Sequence, residues 1–301
     1  MQEQAIQQAH TLVEALGYIQ RFHDKTIVVK VGGSIMDDDE TLAAILTDIV
    51  FMNYVGMQPI LVHGGGKAIN EAMDKAGLTP QMIQGRRYTD ERTLAIAEQV
   101  LCNQINRHIV QFINSQGCEA MGLHSLSSNV LFAEKTFVQG PEGRRIDLGF
   151  VGEVTHVNHR MLDLLVKADA IPCLATIARD RAGGRLNVNA DTAAGAVAAA
   201  MKAEKLVVVS DTPGIRTKAD DPESNVSSLS VGEIDKLVKK GVITRGMLPK
   251  VEACVHALKH GVKKAHIIDG RIKHALLLEV YTEAGIGTEI LLKKPLKKRK
   301  R

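Results

Sequence analysis

Between Thr26 and about Leu291, short apolar runs that stop at glycine or at a turn signal alternate with stretches of helical period. Residues 27–31 form one such run and end at Gly32-Gly33; residues 59–62 form a second and end at His63-Gly64-Gly65-Gly66. A run without polar alternation is the pattern of a strand buried on both faces, as in parallel sheets. Between these two runs, residues 40–55 carry Leu42, Ile45, Leu46, Ile49 and Val50 on one helical face. The alternation continues with helices at 159–167, 190–202, 231–239 and 247–260, and with strands at 171–175, 205–209, 265–268 and 286–291. A chain patterned in this way is held to an α/β fold, an open and mainly parallel sheet covered by helices on both faces.

Three segments depart from the alternation. Residues 2–22 form a helical pattern ahead of the first strand, with Ile6, Ala9, Val13 and Leu16 on one face. That stripe either packs on its own domain or meets another copy of the chain. Thr89 to about Ser115 reads as one long amphipathic helix. Residues 118–157, with β-prone pieces at 130–132, 136–138 and 150–157, read as an antiparallel hairpin region inserted into the parallel sheet.

Composition removes several classes of function. The 301 residues carry a formal charge of +4, but seven Lys or Arg lie in residues 293–301, so residues 1–292 sum to −3. The body of the protein is therefore slightly acidic, which argues against a nucleic-acid partner. No Trp and only ten Tyr and Phe leave no aromatic platform for stacking bases. No run of 18 apolar residues exists to span a membrane, and the N-terminus lacks the pattern of a secretory signal. Cys102, Cys118, Cys173 and Cys254 form no CxxC and read as reduced, buried thiols of a cytoplasmic protein.

The two glycine junctions carry the chemistry. In open α/β sheets ligands bind beyond the carboxyl ends of the strands, and glycine lets backbone N–H groups approach an anion closely. Two such junctions suit a substrate with several negative groups; the alternative is that they only make tight turns. Neither is a standard nucleotide motif. A Walker loop would need Gly at Leu61 and Ser or Thr at Ala68, and a dinucleotide fingerprint would need Gly at Ile69. Lys30 stands near the end of an apolar strand, where a long cation is costly unless it meets an anion. Asp191 opens the small-residue helix at 190–202, and Lys250 falls in the first turn of another helix, an end that disfavours cations. His256 and His260 are four apart on a helix, but no third metal ligand is near in sequence.

KVGG at 30–33, HGGG at 63–66, GRRYTD at 85–90, NVNAD at 187–191, SDTPGI at 210–215 and GMLPK at 246–250 occur in this order. Together, over residues 18–291, they resemble the amino-acid kinase family, in the branch that phosphorylates N-acetyl-L-glutamate for arginine biosynthesis. The resemblance implies a three-layer αβα sandwich around a mainly parallel open sheet, with an N-terminal helical extension at 1–24 for oligomerisation or regulation. It implies an acceptor-binding lobe at 25–204, a nucleotide-binding lobe at 205–292 and a disordered basic tail at 293–301.

The same resemblance assigns residues. Lys30 and Lys250 match the lysines that flank the transferred phosphoryl group, and Asp191 the carboxylate that orients them. Gly65, Gly66, Arg87 and Asn187 match acceptor-binding positions; Gly32, Gly33 and Asp211 match nucleotide-binding positions. The substrates implied are N-acetyl-L-glutamate and ATP with Mg²⁺, with no metal site of the protein's own. Ser34, Lys67, Arg86 and Tyr88 depart from the family pattern around the acceptor. Residues 15–30, together with 265–271, 278–279 and 285–288, resemble the arginine-inhibited members, which are hexamers built as trimers of dimers. There His266, Glu279 and Gly287 are the candidates to hold L-arginine. The alternatives are a kinase of the same fold for another acceptor, such as N-acetyl-aminoadipate, or a non-catalytic ligand sensor.

Overall fold

The computed structural model describes residues 2–125, 127–140, 143–218, 221–243, 246–281 and 285–294. Of the basic tail, only Lys293 and Lys294 fall within these ranges. Helix α1 (Gln2–Phe22) precedes β1 (Thr26–Val31), a 3₁₀ turn (Gly33–Asp37), α2 (Asp39–Tyr54), β2 (Gln58–His63) and α3 (Gly66–Lys75). A small flap, β3 (Met82–Ile83) and β4 (Arg86–Arg87), leads to α4 (Glu91–Glu98), a π-helical stretch (Gln99–Asn106) and α5 (Arg107–Ser115). Then come β5 (Glu119–Leu123), β6 (Leu131–Gln139), β7 (Arg145–Val157), α6 (His159–Lys167), β8 (Ala170–Ala175), β9 (Ile177–Arg179), β10 (Arg185–Val188) and α7 (Ala190–Ala200). The remainder is β11 (Lys205–Ser210), β12 (Ser228–Ser230), α8 (Val231–Lys239), α9 (Leu248–Lys259), β13 (Lys264–Asp269), α10 (Ala275–Val280) and β14 (Thr288–Leu291).

Eight strands form one sheet in the order β12-β14-β13-β11-β1-β2-β8-β5. Every pairing in it is parallel except β13 with β14. The most apolar strands lie at its middle because they are covered on both faces. Val28 of β1 belongs to one core cluster with side chains of α6, α7, α8 and α9, whereas Ile27, Val29 and Val31 belong to another with side chains of α2, α5 and α10. This is the expected three-layer αβα arrangement. β1 pairs with β2 on one side and β11 on the other, with Val31 opposite His63 and Val209. The carboxyl ends of these three strands therefore open at one edge.

Two expectations change. The long helix does not begin at Thr89. That residue is buried and bonded to the hairpin strand β7, its N–H donating to Leu148 O and its carbonyl accepting from Phe150 N. Asp90 is the cap, its side chain accepting from the Thr93 N–H at 2.8 Å. Residues 119–123 do not belong to the antiparallel insertion either, but pair in parallel with β8 at the edge of the main sheet. The insertion is the β6–β7 hairpin, which closes on itself with β9 and β10. Among the described residues no helix is long and apolar enough to cross a membrane. All four cysteines are free and buried.

Candidate active site

Lys30, Asp191 and Lys250 converge. Lys30 leaves the end of β1, buried, with its Nζ 2.9 Å from Asp191 Oδ1. Lys250 leaves the first turn of α9 and reaches Asp191 Oδ2 at 3.6 Å. Asp191 is in the first turn of α7, whose N-cap Asn189 accepts hydrogen bonds from the Asp191 and Thr192 N–H groups. The distance between α7 and α9 is set by a glycine. A Cβ on Gly195 would stand 2.9 Å from the carbonyl oxygen of Ala253 on α9, so only glycine lets the two helices approach this closely. The residues that carry Asp191 and Lys250 are thus fixed by a contact one turn into each helix. Burial alone would push the Asp191 carboxyl up, but the two ammonium groups outweigh it and hold the carboxyl below the usual range. One carboxylate between two lysines leaves a surplus positive charge with little water to screen it.

Two clefts meet at this cluster. The first, about 270 Å³, is lined by both glycine turns, by Arg87 and Asn187, and by Lys30, Asp191 and Lys250. The Lys30 ammonium folds over Gly32, where a Cβ would stand 2.6 Å from Nζ. Arg87, on β4, donates from Nη2 to the Gly66 carbonyl at 2.9 Å, and Asn187, on β10, donates to Thr89 Oγ1 at 3.3 Å. Gly65 and Gly66 open α3, whose first-turn N–H groups have no partner within their own helix. The second cleft, about 630 Å³, is lined by Gly33, Asp211, residues 212–216, Lys250 and Arg271. Gly33 and Lys250 line both. Among the described residues, no three His, Cys, Asp or Glu side chains are grouped to hold a metal ion.

His266, Glu279 and Gly287 lie apart from this site and come together with one another. His266 Nδ1 is 2.5 Å from Glu279 Oε1, and the Ile286 and Gly287 N–H groups donate to Oε2 at 2.7 and 3.1 Å. Burial pulls the His266 pKa down. It would raise that of Glu279, but the hydrogen bonds from His266 and the backbone hold the Glu279 carboxyl low, so a neutral ring donates to a carboxylate. Both side chains line a third cavity of about 730 Å³ with Tyr18, Arg21 and Phe22 of α1 and with Lys205. Gly287 contributes its N–H to Glu279 and is not among the residues lining that cavity.

Sequence reasoning missed Lys205 and Arg271. Lys205 begins a strand and so resembles any strand-end surface lysine, yet it is buried, and burial pulls its pKa to about 8. Arg271 shares the sequence segment 265–271 with His266, but the two diverge in the fold. Arg271 lies past the end of β13 in the second cleft, gripping Asp269 through Nε at 2.9 Å and Nη2 at 2.7 Å. The charged DGR at the end of a parallel strand was the available signal.

A parallel sheet whose neighbouring strands end in glycine turns, with lysines from two distant segments on one carboxylate, is built to bring anionic groups together. That is the task of a phosphotransferase with a carboxylate-like acceptor. The Amino acid kinase family model matches residues 25–269, and the chain belongs to that family. It is 46% identical to the acetylglutamate kinase of Methanothrix thermoacetophila over 279 residues, 93% of this chain and 96% of that one. It is 44% identical to the acetylglutamate kinase of Geobacter sp. strain M21 over 292 residues, 96% and 99% of the two chains. Among solved structures, N-acetylglutamate synthase from Neisseria gonorrhoeae, complexed with coenzyme A and N-acetyl-glutamate, superposes with a TM-score of 0.83 at 24% identity. That match covers 96% of this chain and 64% of the synthase, and it shows the shared fold. The protein is a kinase.

Proposed function

We propose that the protein transfers the γ-phosphoryl group of ATP to the side-chain carboxylate of N-acetyl-L-glutamate, giving the acyl phosphate in arginine biosynthesis. The observation that carries this is the junction of the two clefts, where Lys30, Asp191 and Lys250 stand and which Gly33 and Lys250 both border. The acceptor occupies the smaller cleft, with Gly65, Gly66, Arg87 and Asn187 as its contacts. ATP enters, as its magnesium complex, on the side of Gly32, Gly33 and Asp211. In this reading residues 25–204 supply the acceptor lobe and 205–292 the nucleotide lobe, on one continuous sheet.

In the transfer, a carboxylate oxygen attacks the γ-phosphorus and ADP leaves. The attacking carboxylate is already ionised at neutral pH, so no general base is required. The obstacle is anion meeting anion, and the enzyme's task is alignment and charge neutralisation. Lys30 and Lys250 neutralise the transferring group from two sides. Asp191 holds both ammonium groups in place, and the α3 N-terminus and Arg87 grip the acceptor. An assay of ATP turnover across a panel of acceptors tests the reading. N-acetyl-L-glutamate should be the preferred substrate; preference for N-acetyl-aminoadipate, or equal turnover without acceptor, would overturn it.

The third cavity is read as the site of feedback inhibition by L-arginine, with Glu279 the partner of the guanidinium. α1 contributes Tyr18, Arg21 and Phe22 to that cavity and leaves Ile6, Leu12, Val13 and Leu16 exposed, which supports a helix shared between copies in a hexamer. Millimolar arginine should inhibit, and light scattering should give six copies. Uninhibited activity at that concentration would remove the regulatory part and leave the catalytic part standing.

A further inference from the structure

Behind the second glycine turn lies a side-chain network that the reaction as described does not use. His63, the last residue of β2, is fully buried. Its Nε2 is 2.9 Å from the Asn106 side-chain nitrogen, and its Nδ1 is 3.2 Å from the carbonyl oxygen of Gly64. The same Asn106 nitrogen is 2.9 Å from the Cys173 carbonyl oxygen on β8. A carbonyl oxygen can only accept, so the Asn106 atom facing it is the amide nitrogen. One amide hydrogen goes to Cys173 and the other to Nε2, which therefore accepts. The single ring proton is left on Nδ1, where it donates to Gly64. Burial pushes the His63 pKa down to about 4, with the nearby His124 adding to the shift and the Gly64 contact opposing it. The ring is neutral at physiological pH, and its tautomer is fixed.

The network acts on the turn itself. The Gly64 N–H donates to Val31 O of β1 at 3.0 Å, and its carbonyl accepts from His63, so both polar groups of that residue are tied. The next residue, Gly65, is walled by the same π-helical stretch that carries Asn106. A Cβ there would stand 2.5 Å from Ile105 Cδ1 and 2.9 Å from Leu101 Cδ2. In an α-helix, Asn106 would turn well away from the face shared by Leu101 and Ile105; i→i+5 winding brings the three to one side. The stretch thus presses on Gly65 and braces His63 at once.

We infer that Asn106 and His63 are positioning residues for the acceptor, fixing the Gly64 peptide so that the first-turn N–H groups of α3 face the acceptor's carboxylate. The inference rests on the acceptor reading of Gly65 and Gly66. Its test compares His63→Asn, whose side-chain amide keeps a donor for the Gly64 carbonyl, with His63→Leu, which does not. The leucine variant should raise the acceptor KM tenfold or more and change the ATP KM less than twofold. The asparagine variant should stay within threefold of wild type. Equal acceptor KM values in the two variants, or parallel rises for both substrates, would overturn the inference. Should either variant fail to fold, ¹⁵N-histidine NMR on the unaltered protein decides. A neutral Nδ1–H tautomer for His63 from pH 8 to pH 5 supports the network, and an Nε2–H tautomer or protonation in that range rejects it. Turnover of wild type on N-acetyl-L-glutamate is the control: its absence overturns the acceptor reading, whereas the tautomer reports on the network alone.

Discussion

Two carboxylates are buried against the same sheet, and the chain supports them in opposite ways. Asp191 is held by charge, between the ammonium groups of Lys30 and Lys250. Glu279 is held by neutral donors, the His266 ring and the N–H groups of Ile286 and Gly287. In both cases burial opposes ionisation and the local partners overcome it. The first arrangement leaves a positive surplus that an anion can meet; the second leaves a carboxylate whose nearest partners do not cancel its charge. Residue type alone does not separate the two sites. The charge of the groups bonded directly to each carboxylate does.

The comparison breaks most visibly at the charged cluster. Lys250→Ala and Lys30→Met should each lower kcat by about 10²–10³, the scale for removing one preorganised electrostatic contact from a transition state. ATP affinity, measured by equilibrium binding, should fall far less. Near-normal turnover in the Lys250 variant would mean that the junction of the clefts is not where phosphoryl transfer occurs.

At the other carboxylate the expected pattern reverses. Glu279→Gln keeps the shape and the hydrogen bonds from the backbone but removes the charge, so the arginine concentration for half-inhibition should rise by about 10–100-fold, the size of one desolvated ion pair in binding. Turnover without arginine should remain within twofold of wild type. If kcat fell in step with arginine sensitivity, the two carboxylates would belong to one functional unit rather than two.

The spacing that makes the first cluster possible can be changed from a distance. Gly195→Ala adds a methyl facing the Ala253 carbonyl and must push α9 from α7. Overpacking of this kind costs roughly 1–3 kcal/mol. Because Lys250 rides on α9, kcat should fall about tenfold, roughly the rate equivalent of 1.4 kcal/mol. Denaturant unfolding and steady-state kinetics on the same preparation test both. Lost stability with full turnover would detach the helix contact from the site.

These contrasts show what the sequence made legible. Buried parallel strands are apolar runs, and here they end at the two clefts, so β1, β2, β11 and the two glycine turns stood out. Lys30 could be suspected because a lysine in such a strand must find an anion. The short β3–β4 flap and β9 and β10 were not seen, since two to four residues carry no measurable period. The π-helical stretch hid inside an amphipathic segment, because eight residues are too few for sequence periodicity to separate the two windings. With it went the contact of Asn106 with His63. Lys205 escaped for a topological reason: only the folded chain brings α1, β11, β13 and α10 around it.

Lys205 also gives the smallest and most discriminating test, because it is a buried cation lining the cavity that holds Glu279. Burial is the main reason its pKa falls from an ordinary 10.5 to about 8, reinforced by Lys264 and Arg21 and opposed by Glu279 and Glu289. The native protein therefore binds fewer protons than the unfolded chain between about pH 8 and 10.5, and stability due to this residue rises with pH across that window. Below pH 8 the full cost of the buried charge is present. Lys205→Met, which keeps the apolar stem and removes the charge, should accordingly be more stable than wild type at pH 7 by about 1–3 kcal/mol. The gap should close as the pH approaches 10.5. Denaturant midpoints measured at pH 7 and pH 10 supply both numbers. A variant less stable than wild type at pH 7 would show that Lys205 is held by Glu279 as a true ion pair. The second carboxylate would then be supported by charge like the first.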